Sequence, residues 1–145
     1  VIIPDINLLL YASIEAFPEH QAARKWWASC LEGKVEIGIV DPVLFGFIRI
    51  ATNRRIFEPP MTVGAATNLV QGWLARPNVR TVVPGPRHLQ IAFDLLNSLG
   101  SAGNLTTDIQ IAAFALENQA EVHSADVDFA RFSGLRWSNP LTQGK

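Results

Sequence analysis

An α/β fold with a mostly parallel central sheet is the architecture this sequence predicts, and three observations predict it. Short apolar runs of strand type alternate with helical patterns of ten or more residues. Proline, glycine and cap signals fall between them. Finally, Asp5, Asp41 and Asp126 each follow a predicted strand directly, at the carboxyl ends of strands, where open parallel sheets bind their ligands.

The elements can be justified in order. Val1–Pro4 reads as a short buried strand, and Leu8, Leu9, Leu10 and Ala12 begin a helical pattern just beyond Asp5 and Asn7. Pro18 opens a helix to about Leu31, with Ala22, Ala23, Trp26, Trp27 and Cys30 at i, i+3, i+4 spacing and Gly33 beyond its end. Adjacent Trp26 and Trp27 cannot both point inward from one helix, so one of them is expected to meet a partner. Val35–Val40 is a second strand, and Asp41 and Pro42 read as the N-cap and first residue of a helix, Val43–Thr52, that turns Leu44, Phe47 and Ile48 inward.

Pro59-Pro60 breaks the chain. Thr62 starts the next helix, running to about Ala75 with Ala65, Ala66, Leu69, Val70 and Trp73 on its apolar side. Val79–Val83 is a strand and Pro86–Leu99 a helix, with Leu89, Ala92, Phe93 and Leu96 at helical period. After a loop at Gly100–Gly103, Thr106 or Thr107 caps a strongly apolar helix, Asp108–Asn118. Glu121–Ser124 is a short strand, and Leu135–Ser138 a last edge strand.

A length of 145 residues fits one domain, 1–145. With 48% hydrophobic and 17% charged residues the chain is too apolar to be disordered. The lone Cys30 excludes an intramolecular disulfide framework and multi-cysteine zinc sites, and it suits a reducing cytoplasm. No apolar run approaches the roughly 18 to 20 residues that span a bilayer, so the expectation is a soluble, cytoplasmic protein with no membrane role. Twelve Lys+Arg against thirteen Asp+Glu give a net charge of -1, without the basic field of a non-specific nucleic-acid binder. Only Lys25, Lys34 and Lys145 are lysines; arginine supplies the other cations, in a form suited to phosphate or carboxylate.

Asp5, Asp41, Asp108 and Asp126 are expected to converge at one rim of the sheet. Crowded carboxylates raise one another's pKa unless a cation neutralises them, and hard oxygen ligands without Cys or His clusters select Mg²⁺ or Mn²⁺ over zinc. Such an ion activates water and steadies developing charge in phosphodiester hydrolysis. Each acid also has a plainer role open to it. Asp41 suits an N-cap, Asp108 suits a helix dipole, and Asp126-Val127-Asp128-Phe129 suits a turn closed on its own backbone. Asp5 is harder to explain that way, since an acid half-buried against an apolar strand is costly without a counter-charge. His20, His88 and His123 lack metal-ligand spacing, and the nucleophile elbow, phosphate loop and dinucleotide fingerprint are all missing.

Three stretches together resemble one known family. Pro4-Asp5-Ile6-Asn7-Leu8-Leu9-Leu10-Tyr11-Ala12, Leu105-Thr106-Thr107-Asp108 at the head of an alanine-rich helix, and His123-Ser124-Ala125-Asp126-Val127-Asp128-Phe129-Ala130-Arg131-Phe132 look like the PIN domain, in particular the VapC toxins of bacterial toxin-antitoxin pairs. The resemblance runs over essentially the whole chain and includes Leu135 to Leu141. It implies an α/β/α sandwich and a Mg²⁺- or Mn²⁺-dependent endoribonuclease that cuts structured RNA, transfer or ribosomal, to halt translation. It also implies a VapB-type antitoxin and a homodimer within the toxin-antitoxin complex. By position, Asp5, Asp108 and Asp126 match the family's metal-binding acids, Asn7 and Asp128 its supporting polar groups, and Thr107 or Asn7 would orient water or phosphate.

One position departs from the pattern. Where the family usually has a glutamate shortly before an arginine, Leu44-Phe45-Gly46-Phe47-Ile48-Arg49 carries Gly46, with Asp41 five residues earlier. Either the site is short of one ligand charge, or Gly46 lets two helices pack closely. Two rival functions are a PIN-like nuclease acting on DNA flaps and a non-enzymatic, phospho-accepting receiver-type domain. The first calls for longer insertions and more basic residues; the second calls for a lysine at a strand terminus, which Lys25, Lys34 and Lys145 do not provide.

Overall fold

The structure, a computed structural model, describes residues 1–100 and 103–142. Ser101 and Ala102 of the loop expected at Gly100–Gly103, and Lys145, lie outside the described residues. The element order is β1 (Ile2–Pro4), α1 (Ile6–Ser13), α2 (His20–Glu32), β2 (Ile37–Val40), α3 (Asp41–Ala51), α4 (Val63–Leu74), β3 (Val79–Val82), α5 (His88–Leu99), α6 (Thr106–Glu117), β4 (Glu121–His123) and β5 (Arg136–Ser138). Every expected strand and helix is present, with ends shifted by a residue or two.

The five strands form one parallel sheet in the order β3-β2-β1-β4-β5. β2 is buried at all four positions, so helices cover both faces of the sheet. From β1 the chain steps outward to β2 and β3, then returns to place β4 on the other side of β1. The reversal between β1 and β4 is the switch point at which such sheets open a crevice. It is where Asp5 and Asp126 leave their strands, and Asp5 N donates to His123 O at 2.9 Å across it.

The core is filled by Ile3, Leu8, Leu9, Ile37, Phe47, Ile109, Ile111 and Phe129, all essentially inaccessible. Trp73 sits edge-on to both Trp27 and Phe47, with ring centroids 5.6 and 5.0 Å away, which locks α4 to α2 and α3. Three helix starts differ from the sequence expectation. Asp41 is the first residue of α3 and not its cap, Val40 taking the cap position with no side-chain bond. Neither Thr106 nor Thr107 caps α6, because a 3₁₀ turn at Gly103–Leu105 leads straight into it and Thr106 Oγ1 donates back to Gly103 O. Thr62 does cap α4, its hydroxyl accepting from Ala65 N.

Packing also chose between overlapping apolar stripes. On α5 the buried residues are His88, Ala92 and Leu95, and Leu89 and Phe93 face outward at 63% and 51% exposure. On α4 Ala65 is exposed and Leu69 partly so, with Ala66, Val70 and Trp73 inside. Both stripes fit a 3.6-residue period; the partner helix selects one. Trp26 is partly buried, its ring 5.5 Å from Trp27 and 5.8 Å from His123 of β4, so it packs in part on its own chain.

Candidate active site

Asp108, Asp126 and Asp128 each offer a carboxylate oxygen within 4.8 Å of the others. Asp108 comes from the first turn of α6, and Asp126 and Asp128 from the segment that follows β4. Asp126 serves two ends. Its Oδ1 accepts from Asp128 N at 2.9 Å, closing the turn expected there and setting Asp128 one step along a 3₁₀ helix.

Asp5 sits deeper, only 5% exposed. Its Oδ1 accepts from Ile6 N at 2.7 Å and caps α1; its Oδ2 accepts from the Ser124 hydroxyl at 2.7 Å. These two hydrogen bonds stabilise the buried carboxylate, and burial, the larger effect, still raises its pKa above the ordinary value. Asp108 is pushed up to about 7, by burial first and then by the negative charges of Asp5, Asp126 and Asp128. Four carboxylates therefore act on one volume, and the strongest perturbation falls on the acid facing all the others.

Ser124 holds this arrangement together and drew no attention in the sequence. Fully buried at the end of β4, its hydroxyl donates to Asp5 and accepts from Asn7 Nδ2 at 3.2 Å and from Asp126 N at 2.9 Å. A hydroxyl has one donor and two acceptor sites, and all three are used. Asn7 Oδ1 accepts from Ala125 N at 3.4 Å. Asn7 thus braces the loop after β4 and does not project freely. The available signal was a small hydroxyl residue two before Asp126, but a serine at a strand end has too many ordinary uses to stand out.

Thr107 is exposed and opens on a hollow beside the cluster. Asp41 is exposed and is not among the three clustered carboxylates. Gly46 is buried, and a Cβ there would overlap Ile6 Cδ1 and lie 3.1 Å from its Cγ1. The obstructing atoms end a flexible, partly buried side chain, so a side chain at 46 requires Ile6 to turn aside, while the bare glycine backbone lets α3 pack closely on α1. If Gly46 serves packing alone, Gly46→Glu is expected to cost about 1 kcal/mol of stability, the low end of overpacking because Ile6 can turn aside, with no tightening of Mn²⁺ binding. Denaturant titration and calorimetry check this; tighter Mn²⁺ binding at unchanged stability would restore the missing-ligand explanation.

Comparisons with known proteins give the chain's family. A model of the PIN domain family matches residues 2–135. The chain is 51% identical over 143 residues to Ribonuclease VapC33 of Mycobacterium tuberculosis, covering 99% of this chain and 100% of that one. It belongs to the PIN-domain VapC family. Ribonuclease VapC37 of the same species is 37% identical over 95% of this chain and 96% of its own. Among solved structures, Mycobacterium tuberculosis VapC20, described as a Sarcin-Ricin loop cleaving toxin, superposes with a TM-score of 0.67 at 16% identity, covering 94% of this chain and 99% of that one. VapBC-1 of nontypeable Haemophilus influenzae gives the same score at 18% identity over 96% and 97% of the two chains. The three-layer PIN architecture is that of these neighbours, and membership sets aside the receiver-type alternative. No described helix is long and apolar enough to cross a membrane.

Proposed function

We propose that this VapC protein acts as one domain, a metal-dependent endoribonuclease toxin that cleaves structured RNA, transfer or ribosomal, in the cytoplasm and so inhibits translation. The observation that carries this is the meeting of Asp108, Asp126 and Asp128 within 4.8 Å at the switch point, with Asp5 adding its charge from below. The donor set is all oxygen and strongly self-repelling, which fits a hard divalent cation such as Mg²⁺ or Mn²⁺. Asp5, Asp108 and Asp126, the acids expected from the sequence to hold the ion, are joined here by Asp128. When bound, the ion supplies an activated water and stabilises charge on the phosphate oxygens.

The chain's own residues supply position. Ser124 fixes Asp5 and the Asp126 backbone in one frame, so the acids on β1 and after β4 keep their spacing. Asn7 holds the same loop from α1. Thr107, exposed next to Asp108, orients water or a phosphate oxygen.

A VapB-type antitoxin is the proposed partner, laying a peptide over an apolar groove and sending an arginine to the acids, where a bidentate pair would quench them. Toxin-antitoxin assemblies among the structural neighbours support it. The outward Leu89 and Phe93 of α5 support a further protein contact, consistent with a homodimer. The test is cleavage by the purified chain of total RNA, isolated transfer and ribosomal RNA, and a flap DNA. RNA is expected to be cut only with Mg²⁺ or Mn²⁺, and co-expressed antitoxin to suppress it. Preferential cutting of flap DNA, or inert RNA in both ions, would overturn the assignment.

A further inference from the structure

We propose that the hollow beside the acid cluster is a nucleotide subsite, in which Phe45 stacks on an unpaired base of the RNA and Arg49 holds the neighbouring phosphate; this rests on the ribonuclease function above. The hollow is a depression open to solvent, about 490 Å³ in volume, bordered by Ile6, Pro42, Phe45, Gly46, Arg49 and Thr107. It adjoins the acids at two points in the chain, since Ile6 follows Asp5 and Thr107 precedes Asp108. The hollow therefore stands beside the acids, open to a nucleotide flanking a scissile phosphate held there.

Phe45 and Arg49 are one helical turn apart on α3, so their side chains leave the same face. Phe45 is 63% exposed. Arg49 is exposed and, among the described residues, forms no ion pair. Gly46 lies between them in sequence and adds no side chain to the floor, where Ile6 already fills the space a Cβ would take.

The chemistry of this lining fits RNA. Every base offers a π-face to an exposed aromatic ring, and unpaired bases are the ones free to use it. The acids by themselves repel a phosphodiester, and a net charge of -1 supplies no general attraction. Beyond the ion that the acids would hold, a local cation and a stacking surface add affinity for the strand next to the cut, and the hollow carries one of each.

The test uses a stem-loop RNA from a transcript that the wild-type chain cleaves, with steady-state kinetics in Mn²⁺ and a salt series of binding constants. Wild type is compared with Phe45→Ala, Phe45→Tyr and Arg49→Gln, all at exposed positions where melting temperatures should stay unchanged. Phe45→Ala is expected to raise KM on the order of 10-fold with kcat within about threefold, and Phe45→Tyr to restore KM. Arg49→Gln is expected to reduce the slope of log K against log salt by about 1. If wild type cleaves RNA but KM and the salt slope are unmoved by these variants, the subsite is wrong and the ribonuclease function stands. If the variants bind RNA normally but lose affinity for a VapB-type antitoxin, the hollow belongs to the antitoxin and the proposal fails. A wild-type chain that cuts no RNA removes both.

Discussion

Asp108→Asn is expected to lower RNA cleavage by at least about 10²-fold in kcat while leaving the fold intact. Asp108 is the carboxylate on which burial and the charges of Asp5, Asp126 and Asp128 converge, which holds its pKa near 7. Asparagine keeps the shape and removes one negative charge from the set that would bind the ion, and loss of one preorganised electrostatic group in such a site typically costs about 10²–10³ in rate. The same change relieves repulsion, so the metal-free variant should melt no lower than wild type at pH 7.5. Single-turnover cleavage and thermal melts in chelator decide the matter together. Activity within about threefold of wild type would mean that the chemistry lies elsewhere.

The second large effect concerns metal removal and pH. Asp108 has an ordinary value of 3.8 and a folded value of about 7. An acid whose pKa is raised on folding binds its proton more tightly in the folded chain, so stability from this group is greatest below about 4 and falls as pH rises through about 7. Asp5, also raised, acts in the same sense. In chelator, this cluster should therefore contribute a fall in melting temperature from pH 5.5 to pH 7.5, and the Asp108→Asn profile should be flatter. Mn²⁺ at about 100 times its Kd should restore the loss at pH 7.5, by on the order of 5–10 °C. A metal-free protein with the same pH profile as Asp108→Asn, and no response to Mn²⁺, would show that these carboxylates do not share one field.

Ser124 marks the boundary of what local sequence reveals about the site. Asp5 was visible because an acid half-buried after an apolar strand is costly without a task. Asp126 and Asp108 were visible because they stand after a strand and at a helix start, where parallel sheets gather their ligands, and Asp128 through the family resemblance. Serine creates no such conflict at a strand end, so its three hydrogen bonds to Asp5, Asn7 and Asp126 were invisible until β1 and β4 were placed side by side. Asp41 shows the converse. It has the same local pattern as Asp5, a residue directly after a strand, yet it is exposed and outside the clustered set. β2 lies one strand away from the reversal, which gathers Asp5 after β1, Asp126 and Asp128 after β4, and Asp108 at the start of the helix that leads into β4.

The sequence by itself determined the order and type of the elements, the parallel sheet and the acids that gather at its rim, because apolar period, turn residues and the cost of burying charge are local properties. Tertiary structure alone decided which of two apolar stripes on α5 is buried, leaving Leu89 and Phe93 outside, and that Ile6 occupies the space beside Gly46. The physical reason is shared. A helix with two apolar stripes, or a glycine between bulky neighbours, is compatible with more than one environment. Only the volume occupied by a distant partner, the α6 helix in one case and Ile6 in the other, selects among them.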